Sequence, residues 1–371
     1  MKQIKSITAA LAVVLLFLLL TPTASAVAWE DILEEQSKQL GVHELEQAGD
    51  SYLDGTQVDK DMDVNGVLKT IFQKGKLAAA DVIKGSVRSC VILLAVALLC
   101  GLADSMKLGG SEGFPLLPVV AALAVTGVAV SDVSALVGMG KESMEQMGMF
   151  SKVLLPTAAM ATAASGAPAA AAAKHMATIL FSDFLITIIN NILLPLTYAY
   201  LAAMVAWAAV GNEGVKRLGG CLKSIVTMVL SMTVLAFTGY LTVSGAIAGS
   251  ADATTVKAAK FTVSNMVPVV GSALSDAAET LLAGASILRS AVGVFGMLAV
   301  LAICLLPFLH LGAHYLAYKV TAALTSTVAD SRLVGLIEAI GGAFGLVLGM
   351  TGSCAMVLMV SMISTISMAV G

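Results

Sequence analysis

Apolar residues occupy the chain in long runs, and polar residues interrupt these runs at only a few places. From residue 86 onward, several runs have the length of about 20 residues that a helix needs to cross a bilayer. Residues 291–309 satisfy this length without a charged side chain. The preceding residues 257–290 set charged side chains among apolar ones at roughly helical spacing, which is typical of a helix at a membrane surface or against neighbouring helices. The pattern predicts an all-α, polytopic membrane protein.

The chain is expected to cross the membrane seven or eight times, through helices that are kinked or interrupted. Asn190, Asn191 and Pro195 lie near the centre of residues 176–210, which are too many for one untilted span, so they predict a tight hairpin. The predicted spans and connections are 86–103, 114–137, the polar connection 141–152, 154–175, the hairpin 176–210, 221–249, 291–309 and 333–371. The last of these is expected to be one long kinked helix or a hairpin.

The first residues have the pattern of a secretory signal peptide. Lys2 and Lys5 precede an apolar stretch, and residues 24–26 have the small-x-small order of a cleavage site. An uncleaved anchor helix is the competing interpretation, but Pro22 breaks the apolar stretch ahead of the cleavage site. Residues 1–26 are therefore predicted to be a cleaved signal peptide.

Residues 27–85 are the only sizeable polar region, and their apolar positions fit short amphipathic helices. They are predicted to form an exported helical segment ahead of a polytopic membrane domain at 86–371. With this segment outside, the predicted spans place Lys216 and Arg217 in the cytoplasm, which agrees with the positive-inside rule. The amphipathic passage at 250–290 then faces outward, on the same side as the exported segment.

Composition supports the membrane class and adds little chemistry. The chain has 371 residues, of which 58% are hydrophobic and 12% charged, with a mean hydropathy of +0.93. Soluble domains have about 25% charged residues. The net charge of −3 gives no basic footprint for nucleic acid. The five cysteines lie within or at the edge of apolar runs, where they are expected to be small buried side chains rather than a disulfide framework.

Two carboxylates, Asp183 and Glu338, fall at apparent membrane depth, where a charge is costly. One hypothesis makes them coupling-ion or proton sites of a transporter. The other pairs them with cations such as Lys319 or Arg332, or places them at the membrane interface. The carboxylates are single and scattered over different spans, which favours the second hypothesis.

His310 and His314 are spaced i, i+4, as zinc ligands on one helix can be. No third ligand is evident, so an interfacial histidine pair is the preferred interpretation. The sequence contains no nucleophile–base motif, phosphate-binding loop or cysteine-rich metal cage. We therefore expect no catalytic residues, no cofactor and no metal site.

The order Leu-Leu-Pro occurs four times, ending at Pro118 near the start of a predicted span and at Pro156, Pro195 and Pro307. A proline inside a helix frees a backbone carbonyl and kinks the axis, and such sites can line cavities or act as hinges. The alternative is that these prolines end helices. Pro156, Pro195 and Pro307 are the candidate kinks.

Gly341, Gly345 and Gly349 repeat at four-residue spacing and would lie on one face of a helix. A stripe of small residues lets two helices approach closely. We predict packing within this chain, with packing against another subunit as the alternative.

The segments VPVVG, SDA, GAS and AVG follow one another between Val267 and Gly293. With this order of segments, residues 265–332 resemble the stage III sporulation protein AE family of endospore-forming bacteria. The upstream LLPTAAMATAASG at 154–166 is also similar to the family's middle region. With the signal peptide and polytopic body, the resemblance covers nearly the whole chain.

The resemblance implies a non-catalytic subunit of the channel, or feeding conduit, between mother cell and forespore. Its expected location is the mother-cell membrane around the forespore. Its expected partners are the other stage III sporulation membrane proteins of the same operon, a forespore membrane protein across the intermembrane space, and the lipid bilayer. Nucleic acid is not expected. The alternatives are a permease that itself moves small molecules, and an intramembrane enzyme using His310 and His314.

Overall fold

The computed structural model describes the backbone of most of the chain. The described residues are 29–59, 62–105, 117–266 and 271–367, and side chains are described for 33–59, 62–103, 117–244 and 280–367. The predicted signal peptide at 1–26 lies outside the described residues. Of the predicted amphipathic passage 250–290, the backbone is helical on both sides of 267–270, and side chains are described from Thr280 onward.

The described residues form helices and no strand. The elements are α1 Trp29–Gln39, α2 Val42–Leu53, α3 Val64–Ser105, α4 Leu117–Ala164, α5 Pro168–Ile188, a π-helical turn Ile189–Leu193, α6 Leu194–Val210, α7 Glu213–Met266, α8 Gly271–Thr325 and α9 Ser331–Ser367. Among the described residues, six helical stretches are long and apolar enough to cross a membrane, and they lie in α3, α4, α5–α6, α7, α8 and α9. The prediction of an all-α, polytopic membrane protein is confirmed, with six such stretches in place of the seven or eight expected.

The predicted hairpin within 176–210 is wrong. Residues Pro168–Val210 form one continuous helical stretch, and the expected break is a single π-helical turn. Pro195 is the second residue of α6, directly after that turn. Proline is tolerated in the first turn of a helix, and a wider turn before it accommodates the carbonyls that the proline leaves unpaired. Asn190, Asn191 and Pro195 therefore accompany a local π-helical turn, and the chain does not reverse its direction there.

The predicted span at 154–175 is also wrong, because the chain reverses in its middle. α4 runs through the expected polar connection at 141–152 and ends at Ala164. Gly166 then adopts a φ of 92°, and Pro168 opens α5. Glycine reaches this left-handed conformation without strain, and proline favours a first helical position. Alanine on both sides of the turn hid it from the hydropathy pattern.

The segment at 27–85, which is predicted to be exported, divides differently from the prediction. Its first part forms α1 and α2, but residues 64–85 belong to α3 and continue without a break into the first apolar span. At the other end of the chain, residues Ser331–Ser367 form the single helix α9 and no hairpin.

α8 and α9 run antiparallel at the centre of the bundle, where they contact each other more extensively than any other pair of helices. We call the end that carries α1, α2 and the turn 165–167 the upper end. The lower end carries the turns at 211–212 and 326–330. α1 and α2 lie on the upper part of α8, since Gln36 Nε2 donates to the carbonyl of Leu281 at 3.1 Å.

Candidate functional site: a polar interior and a mismatched apolar exterior

The glycine stripe of α9 lies mainly against α8. A methyl group on Gly341 would come within 2.9 Å of Tyr318 Cβ, and one on Gly345 would meet the ring of Tyr315 at 3.0 Å. Gly349 faces α7 more loosely, with Leu230 at 3.9 Å from the same hypothetical position. Two of the three predicted packing glycines therefore bring α9 close to α8 inside this chain.

The three candidate kinks have different surroundings. Pro156 and Pro307 lie inside α4 and α8, whereas Pro195 follows the π-helical turn. Pro307 cannot donate a hydrogen bond to the carbonyl of Ile303, and the hydroxyl of Ser143 lies 3.5 Å from that carbonyl oxygen. A neighbouring hydroxyl thus partly replaces the lost backbone donor, as occurs in membrane helices.

Glu338 is paired at the surface of the lower half. Lys319 Nζ lies 2.5 Å from Glu338 Oε1, and both side chains are partly exposed. The pair joins α8 to α9. Its position beside Tyr200 and Lys223 places it on the wall of a cavity at the lower end.

Asp183 is exposed on α5 and lines a groove of about 540 Å³ between α4 and α5. Pro156 lines the same groove from α4, so the structure brings together one candidate carboxylate and one candidate kink. Asp183 and Glu338 do not meet. Thr178 of α5 contacts Ser361, which is about 35 Å along α9 from Glu338 at 1.5 Å per residue.

The histidine pair does not form a metal centre with a third ligand in the described part of the chain. His314 Nδ1 lies 2.9 Å from the backbone carbonyl of His310, so that nitrogen is engaged within α8. One turn further along, the buried Tyr318 donates its hydroxyl proton to Asp132 Oδ2 at 2.8 Å. This bond ties α8 to α4 and gives Asp132 a hydrogen-bond donor.

The upper interior contains a cluster of cationic groups that no sequence pattern indicated. Lys174 is 6% exposed and Arg289 is 3% exposed, yet the hydrogen bonds described for both go to hydroxyls. Lys174 donates to Ser364 Oγ at 2.7 Å, and Arg289 donates to Ser165 Oγ at 3.0 Å. The alanine-rich surroundings of Lys174 and the apolar run after Arg289 gave no pattern that would have joined them.

His175 completes this cluster. Its Nε2 lies 3.3 Å from Thr162 Oγ1 and 3.5 Å from Thr365 Oγ1, and its Nδ1 has no hydrogen-bond partner among the described residues. Burying a cation without a carboxylate partner is costly. We call Lys174, His175 and Arg289, with their hydroxyl partners, the upper polar cluster.

The exterior of the bundle has no uniform apolar belt. α4 exposes a charged belt formed by Lys141, Glu142, Glu145 and Lys152. At the same height, α5 exposes Leu180, which lines a groove together with Glu145 and Lys152. The rings of Phe181 and Phe237 lie 5.4 Å apart, so α7 is at this height as well.

α5 and α7 expose an apolar surface opposite in character to the charged belt. We call it the upper apolar face, and its members are Met176, Leu180, Phe184, Met232, Leu235 and Val243. Leu180 is 62% exposed and Leu235 is 74% exposed. A flat bilayer that covered this face would also cover the charged belt.

The exposed apolar surface is taller than a bilayer. On α4, exposed apolar side chains lie below the charged belt, at Val120 and Leu123, and above it, at Met160, so they are spread over about 60 Å at 1.5 Å per residue. The hydrocarbon core of a bilayer is about 30 Å thick. Even a helix tilted by about 40° would carry this surface through about 45 Å. Part of the apolar exterior therefore lies outside the hydrocarbon and requires another apolar surface to cover it.

Comparison with known proteins identifies the family of the chain. The sequence model of the stage III sporulation protein AE family matches residues 50–371. The chain belongs to this family. It is also 24% identical, over 213 residues, to the stage III sporulation protein AE of Bacillus subtilis strain 168. This match covers 57% of the chain and 53% of the relative, so the chain spans about half the length of the curated relative it matches. No solved structure matches the chain.

The family match confirms the resemblance found in the sequence and identifies a sporulation protein with several membrane helices. Neither the family nor the relative is named for a reaction. The family match begins inside α2 and includes α3 to α9.

Proposed function

We propose that the protein is a non-catalytic integral membrane subunit of the channel, or feeding conduit, that connects the mother cell with the forespore. In this role it lies in the mother-cell membrane around the forespore. The assembly is needed for endospore formation and late forespore gene expression. Its partners are the other stage III sporulation membrane proteins of the same operon and a forespore membrane protein across the intermembrane space.

The height of the apolar exterior is the observation that carries this proposal. Exposed apolar side chains extend along about 60 Å of helix, twice the hydrocarbon thickness. The upper apolar face lies at the height of the charged belt, so lipid does not suit both surfaces at once. Large exposed apolar patches mark interaction sites. A partner helix or subunit that covers the upper apolar face would shield it from water while the charged belt stays solvated. Such a covered surface is expected for a component of a multi-protein assembly.

The permease alternative receives less support from the same structure. A transporter of this kind binds its coupling ion at a carboxylate held in the interior or in a water-filled cavity near mid-membrane. Glu338 is instead paired with Lys319, and Asp183 is exposed in a groove on the bundle's outside. The enzyme alternative, which uses His310 and His314, is also less supported, because one ring nitrogen of His314 is engaged with the backbone carbonyl of His310.

The experiment is affinity capture of the tagged protein from sporulating cells of the native host, with partners identified by mass spectrometry. We expect the other stage III membrane proteins to be recovered with the unaltered chain. Deletion of the gene is expected to abolish heat-resistant spores. Normal spore counts after deletion would overturn the proposed role.

Two variants locate the contact on the upper apolar face. Leu180→Asp and Leu235→Asp are expected to leave the protein in the membrane but to lose most of the captured partners and spores. Leu77→Asp on α3 is the matched control, because Leu77 is 77% exposed outside the upper apolar face. Partner recovery that is unchanged in the two face variants and equal to the control would refute the assigned surface.

A further inference from the structure

A cavity of about 410 Å³ opens at the lower end of the bundle, between α6, α7 and α9. Trp207 and Tyr200 line it from α6, Lys216 and Lys223 from α7, and Glu338 from α9. None of these side chains has a role in the proposed assembly contact, which lies on the upper half.

The cavity carries an excess of positive charge. Lys319 neutralises Glu338 at 2.5 Å. Lys216 lies 4.3 Å from the centre of the Trp207 ring and 3.9 Å from Glu213, so one cation is held over an aromatic face with a single carboxylate nearby. The Lys223 ammonium lines the same cavity as Glu338, whose charge it shares with Lys319. With Lys216 and Lys319 it gives three cations around two carboxylates, so one positive charge is in excess and can bind an anionic ligand.

Gly342 lets Lys223 and Tyr200 lie close against α9. A methyl group at Gly342 would lie 3.3 Å from Lys223 Nζ and 3.2 Å from Tyr200 Oη. The hydroxyl of Tyr200 donates to the carbonyl of Ala339 at 3.2 Å, which holds the ring in place and leaves the oxygen as an acceptor. The absence of a side chain at Gly342 therefore helps to position both polar groups that line the cavity.

The cavity lies where a membrane protein meets the headgroups. Val210 is 73% exposed, close to the chain turn at Gly211, and Leu218 is exposed on the next helix. Tryptophan and lysine are enriched at the membrane–water boundary, and basic pockets between membrane helices bind anionic lipid headgroups. Soluble phosphate would satisfy the same ammonium groups, but it would make no use of the adjoining apolar surface.

We propose that this cavity binds the phosphate of an anionic phospholipid, held by Lys216 and Lys223 beside Trp207. The proposal does not rest on the function in sporulation, because it concerns a different end of the molecule and a different ligand. Each basic residue near an anionic headgroup contributes about fivefold in affinity.

The test uses tryptophan fluorescence of the full chain in an uncharged detergent. The chain has two tryptophans, so Trp29→Phe leaves Trp207 as the reporter in the cavity wall. Short-chain phosphatidylglycerol, short-chain phosphatidylcholine and inorganic phosphate are titrated separately. We expect phosphatidylglycerol to bind at least about tenfold more tightly than phosphatidylcholine, in line with two basic contacts.

Variants assign the binding to the cavity. Lys223→Gln is expected to weaken phosphatidylglycerol binding by about fivefold. Lys141→Gln, which removes an exposed lysine of the charged belt, is expected to leave it unchanged. Native mass spectrometry of the same variants counts retained lipid independently of the fluorescence change.

Three outcomes would overturn the proposal. The first is equal affinity for phosphatidylglycerol and phosphatidylcholine. The second is an equal loss of binding in Lys223→Gln and Lys141→Gln, which would indicate only general surface charge. The third is inorganic phosphate binding as tightly as phosphatidylglycerol, which would assign the cavity to a soluble phosphate instead of a lipid.

Discussion

Toward the lower end, glycines let α9 lie directly against α8, whereas toward the upper end hydroxyls and buried cations fill the space between α5, α8 and α9. Gly341 and Gly345 contact the side chains of Tyr318 and Tyr315. In the upper half, Thr178 Oγ1 and Ser361 Oγ share a hydrogen bond at 2.8 Å. The lower contact depends on volume, since an added methyl group has no space. The upper contact depends on polarity, since each buried donor needs an acceptor.

The charged groups of the two halves differ in their exposure to water. The Lys319–Glu338 pair is at the surface, where water compensates for a lost partner. The cations of the upper polar cluster are buried among hydroxyls, where water does not. A bundle with one continuous pair of central helices is thus expected to respond to substitutions in opposite ways at its two ends.

Filling the space at Gly341 with a larger side chain has the largest expected effect on stability. Gly341→Leu places a side chain against Tyr318 and the backbone of α8, and overpacking of this kind costs about 3 kcal/mol. Thermal unfolding in detergent, followed by labelling of the buried thiols Cys304 and Cys354, measures the change. Gly312→Leu is the control, because nothing lies within 4 Å of a methyl group at Gly312. Equal destabilisation by both variants would refute the close contact.

Removing one hydroxyl in the lower half has the next largest expected effect. Tyr318→Phe deprives the half-buried Asp132 of its donor, and loss of a hydrogen bond to a charged group costs about 2 kcal/mol. The same unfolding assay reports it. Tyr315→Phe on the same helix is expected to change the midpoint little, since no hydrogen bond of its hydroxyl is described. A midpoint for Tyr318→Phe equal to that of the unaltered chain would contradict the tie to α4.

Neutralising a buried cation in the upper half is expected to act with the opposite sign. Lys174→Met removes the cost of a buried ammonium whose described hydrogen bond goes to a serine hydroxyl. Apolar replacement of such a group is expected to stabilise by about 1 kcal/mol. Lys152→Met, at an exposed position of the charged belt, is the control and should change stability by less than about 0.5 kcal/mol. Strong destabilisation by Lys174→Met would mean that the ammonium has an anionic partner.

Breaking the surface pair in the lower half has the smallest expected effect. Lys319→Met and Glu338→Gln are each expected to cost less than about 1 kcal/mol, because the pair is solvent-screened. A double-mutant cycle in the unfolding assay gives the coupling energy. Coupling of several kcal/mol would show that the pair acts as a buried interaction, and it would remove the contrast with the upper polar cluster.

Some of the architecture follows from local pattern. The run at 291–309 lies inside the central helix α8, and the Gly341–Gly345 repeat lies on the face of α9 that meets α8. The turn around Gly166 also had a local signal, in the Ser-Gly-Ala-Pro order. Hydropathy is uniform on both sides of this turn, and a hydropathy window does not register a reversal over three residues.

The candidate site was less accessible to sequence reasoning. Asp183 and Pro156 share one groove although they lie 27 positions apart in the printed sequence. Lys174 and Arg289 enter one cluster from helices that are distant in the chain. Sequence patterns give the face of a helix on which a residue lies, but the relative height of two helices depends on their packing.

The sequence by itself determined the class of the protein, because runs of apolar residues at this length exclude a soluble fold and require helices whose backbone groups are paired internally. It also determined the family through the residues at 265–332. The tertiary structure alone decided where the helices reverse, which polar groups meet inside, and that the upper apolar face stands level with the charged belt. These features depend on how far one helix is shifted along another, and side chains distant in the chain set that shift through contacts that no local pattern encodes.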